Sequence, residues 1–267
     1  MVIGLDELGG PCSAAAGAAG GAPGAPALSF AHVAKTFRGG TQAVADATFT
    51  VGAGEFVSVV GPSGCGKSTL LRLASGLTEA TSGTVAVGED NVGFVFQEAT
   101  LLPWRTVQRN LELLPELHGI GRAERRRRAT EALALMGLTG FEKHRPRQLS
   151  GGMRMRVSLA RSLTMKPRVF LFDEPFAALD EITRHRLNDE LLRLFLAERF
   201  AALFITHSVL EATYLSSRVL VMSARPGRIV ADLPVPIEYP RRPEQRFDPA
   251  LVEVAAEVSA RLAEASA

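Results

Sequence analysis

FVSVVGPSGCGKST, residues 56–69, decides the fold. Its first five residues are almost all apolar, as expected of a strand covered on both faces, and LLRLA after it has a helix-forming composition. Between them, Gly61 to Ser68 fits G-x-x-x-x-G-K-[ST] in the required strand-to-helix context. Gly61, Gly64 and Gly66 allow backbone angles that turn successive N–H groups inward. Pro62, Ser63 and Cys65 occupy the variable positions, and Thr69 continues the helix that begins near Lys67. Those amides and the helix N-terminus offer partial positive charge to a polyphosphate. Lys67 adds a full charge worth about 1.5–3 kcal/mol, so its loss predicts nucleotide binding weaker by about one to two orders of magnitude. Ser68 supplies a hydroxyl suited to Mg²⁺. The plainer alternative, an ordinary Gly-rich turn, does not require all of these fixed positions together.

Outward from this loop, short apolar strands alternate with helical patterns from Leu28 onward, the pattern of a parallel sheet with crossover helices. Three further strands read as covered on both faces: VGFVF (92–96), VFLF (169–172) and ALFI (202–205). Gln97 follows the first, Asp173 and Glu174 the second, and Thr206 and His207 the third. A parallel sheet delivers all of them to its carboxyl edge, where open α/β sheets place ligands. In a phosphoryl-transfer site Asp173 would hold the metal and Glu174 would act as base on a water. An acid pair in this position can also simply cap the next helix. His207 is placed to reach the terminal phosphate, or is a hydrogen-bonded structural residue. Gln97 is an amide able to touch metal and water, or a loop polar group. Phe37 in AKTFRGG either stacks on adenine or belongs to the core.

The 267 residues carry a net charge of +2 with acids and bases interspersed, which gives no basic face wide enough for nucleic acid. The one dense basic run, Arg125 to Arg128, reads as a solvated helix face. Cys12 and Cys65 suggest neither a disulfide nor a zinc site, which favours a reducing, cytosolic setting. Residues 1–27 read as a disordered Ala/Gly/Pro leader without a signal peptide's apolar region. No apolar run approaches the roughly 20 residues of a membrane-spanning helix, so a membrane role requires a partner. A helical insertion is expected over about 101–160, with runs at Val107–Leu117 and Arg122–Met136. Pro234–Pro243 reads as a linker before an amphipathic C-terminal helix within 241–267, marked by Leu251, Val254, Ala255, Val258 and Leu262. LSGGMRMR, residues 149–156, is a second anion-holding turn: Ser150, Gly151 and Gly152 open a basic helix.

These pieces, in this order, resemble the nucleotide-binding subunits of ABC transporters over about Leu28 to Ile237. GPSGCGKST matches the Walker A loop, Gln97 the Q-loop, LSGG the signature and VFLFDE the Walker B strand. ALD at 178–180 matches the D-loop and His207 the switch histidine. The resemblance implies an α/β P-loop NTPase with a mostly parallel central sheet, an antiparallel N-terminal β subdomain and a helical signature subdomain, the ATP-binding domain running over 28–240. It implies Mg²⁺-dependent ATP hydrolysis in a head-to-tail homodimer, each ATP lying between one copy's phosphate loop and the other's Ser150, Gly151 and Gly152. LLPWRTV (101–107), LSGGM and SARPGRI (223–229) are similar to the importer subgroup for nitrate, sulfonates and taurine. That implies an integral membrane permease as partner, an external substrate-binding protein, and residence at the cytoplasmic face of the inner membrane. Two other readings remain: an ABC-type ATPase acting on nucleic acid or ribosomes, and a regulatory module that binds nucleotide without hydrolysis. Met155 and Ser208 depart from the family pattern, which usually has Gln and Asp there; the second puts the positioning of the switch histidine in question.

Overall fold

A computed structural model describes residues 25–88 and 91–266. The leader expected at residues 1–27 lies almost wholly outside them. The chain runs β1 (Leu28–Thr36), β2 (Gln42–Val51), β3 (Phe56–Val60), α1 (Lys67–Ala74), β4 (Ser82–Val87) and β5 (Val92–Val95). It continues through α2 (Val107–Leu111), α3 (Leu113–Leu117), α4 (Arg122–Leu135), α5 (Gly151–Leu163), β6 (Val169–Asp173), α6 (Glu181–Glu198) and β7 (Ala201–Ile205). The last elements are α7 (Val209–Leu215), β8 (Arg218–Met222), β9 (Gly227–Pro234) and α8 (Pro249–Ser266).

One sheet carries the strands in the order β4-β1-β2-β9-β8-β3-β7-β6-β5. From β8 to β5 every neighbour pairs in parallel, which is the α/β P-loop NTPase core. β1, β2 and β4 form an antiparallel group that joins the rest through β9. β3, β6 and β7 are buried along nearly their whole length, consistent with cover on both faces. Rings of Phe56, Phe170, Phe172, Phe195, Phe200 and Phe204 pack around them with neighbouring centroids 4.5–6.5 Å apart.

Four expectations need correction. VGFVF is covered unevenly: β5 is the edge of the sheet, Gly93 and Val95 are buried on one face, and Val92 and Phe94 are only partly buried against the core on the other. The run 107–117 is two short helices broken at Glu112, since Pro115 has no N–H to bond the carbonyl of Leu111. The segment 234–243 is no free linker. Val235 and Arg241 are buried, and the Tyr239 hydroxyl donates to the Leu215 carbonyl at 2.6 Å. The Arg241 guanidinium donates to the carbonyls of Thr213, Tyr214 and Ser216 at 2.8–2.9 Å and to Ile237 at 2.7 and 3.0 Å. A cation thus closes the C-terminus of α7, where helix carbonyls lack partners. Residues 243–247 form a 3₁₀ turn before α8, whose Leu251 and Val258 enter the main core. The solvated-face reading of Arg125–Arg128 holds only for Arg126 and Arg127, which are exposed; successive residues wind around α4, so Arg125 and Arg128 are half-buried, paired with Glu116 and Glu124.

Arg241→Met leaves several buried carbonyls unpaired and is expected to cost about 3 kcal/mol of stability, read as a lowered urea midpoint at unchanged slope.

Candidate functional site

The phosphate loop closes between β3 and α1 because glycine is the only residue that fits there. Gly66 adopts φ 110° as the N-cap of α1, and a Cβ on it would lie 2.5 Å from the Ala43 carbonyl oxygen. A Cβ on Gly61 would meet the Cys65 sulfur and the Met222 carbonyl at 2.9 Å. The glycines therefore serve close packing as well as the turn. Cys65 is buried beneath the loop, and desolvation pushes its thiol above the ordinary value.

Lys67 is only 6% exposed; its ammonium donates to the Gly61 carbonyl at 2.8 Å and the Pro62 carbonyl at 3.0 Å. It also stands 4.0 Å from a Glu174 carboxylate oxygen. Ser68 Oγ donates to Asp173 Oδ1 at 2.9 Å. Burial raises the Asp173 carboxyl above the usual range, the Ser68 bond opposing it. Glu174 holds a left-handed backbone at φ 44°, strained for a non-glycine residue, while its N–H donates to the Ile205 carbonyl at 3.0 Å and extends the β6–β7 ladder. His207 Nδ1 lies 3.0 Å from Glu174 Oε2. A carboxylate oxygen accepts, so Nδ1 is the donor in this bond.

Five of the expected groups thus meet at one edge in two contacting sets, Lys67 and His207 on Glu174, and Ser68 on Asp173. A cleft of about 520 Å³ opens beside them, lined by Phe37, Ser63, Gly64, Gly66, Lys67, Ser68, Thr69 and Glu174. Phe37 is 39% exposed at its rim rather than in the core. Gln97 and Gly151 instead line a neighbouring cavity of about 440 Å³, with Arg154, Met155 and Leu179. Ser150 is the N-cap of α5, its hydroxyl accepting from the Met153 N–H at 3.2 Å. Gly152 is required by α6, since a Cβ there would lie 2.9 Å from Thr183.

The structure also shows what the two departures from the family pattern do. Ser208 caps α7, accepting from the Glu211 N–H at 3.3 Å, a task a serine performs as well as an aspartate. Met155 is buried in the main core. Two contributors have no role assigned from the sequence, where Arg225 enters only within SARPGRI. Arg161, buried on α5, donates to the Ala99 and Thr100 carbonyls and so ties the loop after Gln97 to the signature helix. Arg225, also on the rim of the nucleotide cleft, donates to the Gly64 carbonyl at 2.7 and 3.0 Å.

A parallel-sheet core, a glycine loop with a buried lysine after β3 and an acid pair at the end of β6 define a P-loop nucleoside triphosphatase. The family model for "ABC transporter" matches residues 44–177. An aliphatic sulfonates import ATP-binding protein, SsuB 1 of Pseudomonas savastanoi pv. phaseolicola, is 44% identical over 231 residues, covering 86% of this chain and 94% of that protein. The ABC transporter ATP-binding protein MJ0412 of Methanocaldococcus jannaschii is 49% identical over 194 residues, 70% of this chain and 73% of that one. The solved dimeric structure of the cassette MJ0796 in a post-hydrolysis state, bound to ADP and Pi, superposes with a TM-score of 0.67 at 31% identity. It covers 78% of this chain and 98% of that one. The chain belongs to the ABC transporter family, as an ATP-binding, ATP-hydrolysing cassette of a transporter.

Gly66→Ala forces a Cβ against Ala43 and is expected to cost about 3 kcal/mol or more, whereas Gly39→Ala, with open space around it, should stay within about 0.5 kcal/mol. Thermal unfolding with and without ATP reads both, and only the Gly66 variant should lose the stabilisation that ATP confers.

Proposed function

We propose that two copies of this chain pair head to tail around ATP and drive uptake of a small anionic compound, of the nitrate, sulfonate or taurine kind, through a membrane permease. The observation that carries the pairing is the division of the phosphate-holding elements. The phosphate loop opens into one cleft, while Gly151 of the signature lines another cavity with Gln97. One chain therefore presents two anion-facing helix starts, at α1 and α5, that do not line a common cleft. A second copy turned by a twofold axis brings the Ser150 hydroxyl and the amides of Gly151 and Gly152 to the γ-phosphate held by the first. ADP lacks that phosphate, so hydrolysis releases the pair and moves the attached permease.

Within each site the roles follow from the contacts. Lys67 and the loop amides hold the phosphates, and Phe37 stacks on the adenine. Glu174 accepts the proton of the attacking water through its carboxylate, and His207, bonded to Oε2, fixes the direction of that carboxylate. Ser68 and Asp173 fit Mg²⁺: a hydroxyl and a partly buried carboxylate are hard oxygen donors, and the raised carboxyl gains from a nearby cation. Among the described residues no group of three or more His, Cys, Asp or Glu could hold a metal alone, which suits an ion bound mainly through substrate phosphates. Gln97, which lines the neighbouring cavity, would be a further ligand. Mg²⁺ held by these residues would supply positive charge to the phosphate oxygens.

The substrate class and direction rest on the likeness to the sulfonate import protein. Among the described residues no helix is long and apolar enough to cross a membrane. The segment Leu101 to Trp104 is the proposed permease dock, at the cytoplasmic face of the inner membrane. Trp104 is 69% exposed, and Leu101 is anchored against the core behind it. An external binding protein would hand the compound to that permease.

Glu174→Gln is expected to lower ATP turnover by about 10²- to 10⁴-fold while ATP, and not ADP, shifts its sedimentation from monomer to dimer. Turnover at the unmutated rate would remove Glu174 from the role of base, and a monomer under ATP would remove the nucleotide-sealed pair.

A further inference from the structure

The turn between β8 and β9, Ser223 to Gly227, is fastened onto the phosphate loop. Gly227 sits so close to that loop that a Cβ on it would lie 2.2 Å from the Cys65 carbonyl oxygen. Arg225 spans the remaining gap, its Nε and Nη2 both donating to the Gly64 carbonyl. The turn is fixed from behind as well. The Ala224 N–H donates to the Ala265 carbonyl at the end of α8, and Ser223 exchanges backbone and side-chain bonds with Arg228. The C-terminal helix, which the ATPase chemistry leaves without a task, therefore braces the turn that carries Arg225.

We infer that Arg225 is a positioning residue for nucleotide binding, acting by locking the Gly64–Cys65 peptide of the phosphate loop. A trans peptide is planar, with its carbonyl and N–H pointing in opposite directions. Holding the Gly64 oxygen outward on the arginine therefore turns the Cys65 N–H inward. That N–H donates toward the Pro62 carbonyl at 3.3 Å, the same oxygen that accepts from Lys67 Nζ at 3.0 Å. The amide and the ammonium thus converge on one spot inside the loop. Gly64, at φ 74°, has no side chain to restrict its own peptide, so without the arginine only the long Cys65 N–H bond to Pro62 opposes rotation of this plane. A guanidinium fork making two bonds to one carbonyl fixes a plane in a way a single ammonium donor does not.

The inference rests on the nucleotide-site reading but not on dimerisation, so ADP binding by the full-length protein tests it alone. Isothermal titration is expected to show Arg225→Met weakening ADP and ATP by a common factor of about 10, the size of one charged hydrogen bond. Arg225→Lys should recover part of that loss, and kcat at saturating ATP should stay within about twofold for both. Arg228→Met removes an exposed charge from β9, just past the turn, without touching the loop and should bind as the unmutated protein does. Unchanged ADP affinity in Arg225→Met would overturn the inference. So would an equal loss in Arg228→Met, which would assign the effect to net charge. If the Met variant does not fold, Arg225→Lys decides alone: affinity equal to the unmutated protein would overturn the two-bond lock. Absence of ADP binding by the unmutated protein would instead sink the nucleotide-site reading itself.

Discussion

The ammonium of Lys67 is held almost out of water, between two carbonyls of its own loop and the carboxylate of Glu174. Removing a charge from water costs several kcal/mol unless polar groups surround it, so this placement is affordable only with its partners in position. Each partner depends on a different part of the fold. The carbonyls of Gly61 and Pro62 are set by a loop that touches Ala43 and Met222 too closely for any side chain on Gly61 or Gly66. Glu174 is carried by β6 and pinned to β7 through the Ile205 carbonyl, at the expense of a left-handed backbone. His207 arrives from the end of β7 itself. Three adjacent parallel strands thus deliver a cation, an acid pair and an imidazole to one edge, with no reorganisation required of the sheet.

The second anion-facing helix start is built with equal care but turned elsewhere. Ser150 caps α5, Gly152 is pressed against Thr183 of α6, and Arg161 binds α5 to the loop that follows Gln97. The signature turn, the Q-loop and the D-loop neighbourhood therefore share one packed unit. In the proposed pair, a γ-phosphate touching Ser150 would also bear on the loop bearing Gln97 and, beyond it, on the exposed Leu101–Trp104 surface. In that pair the packed unit would carry a change at the phosphate toward a membrane partner.

Much of this was legible in the sequence because strands covered on both faces leave an uninterrupted apolar record. FVSVV, VFLF and ALFI were each followed by the polar groups that the structure gathers. The misreadings have physical causes. VGFVF looks like the others because an edge strand can still be apolar throughout. Pro234 to Pro243 looked like a spacer because proline reports a missing N–H and says nothing of Tyr239 and Arg241, whose side chains close α7. The capping role of Ser208 is not visible in the sequence, because only the structure shows α7 beginning there. Arg161 and Arg225 act through long side chains across 61 and 161 residues of sequence, a reach that no local pattern encodes.

The composite site is tested most directly by mixing two damaged chains, Lys67→Ala and Ser150→Arg, and measuring ATP turnover. Each alone carries the same defect in both of its sites. A mixed pair joins the intact phosphate loop of the Ser150→Arg chain to the intact signature of the Lys67→Ala chain. The account predicts little turnover from either variant alone and a partial return on mixing. Full activity of the Ser150→Arg chain alone, or no return on mixing, would contradict it.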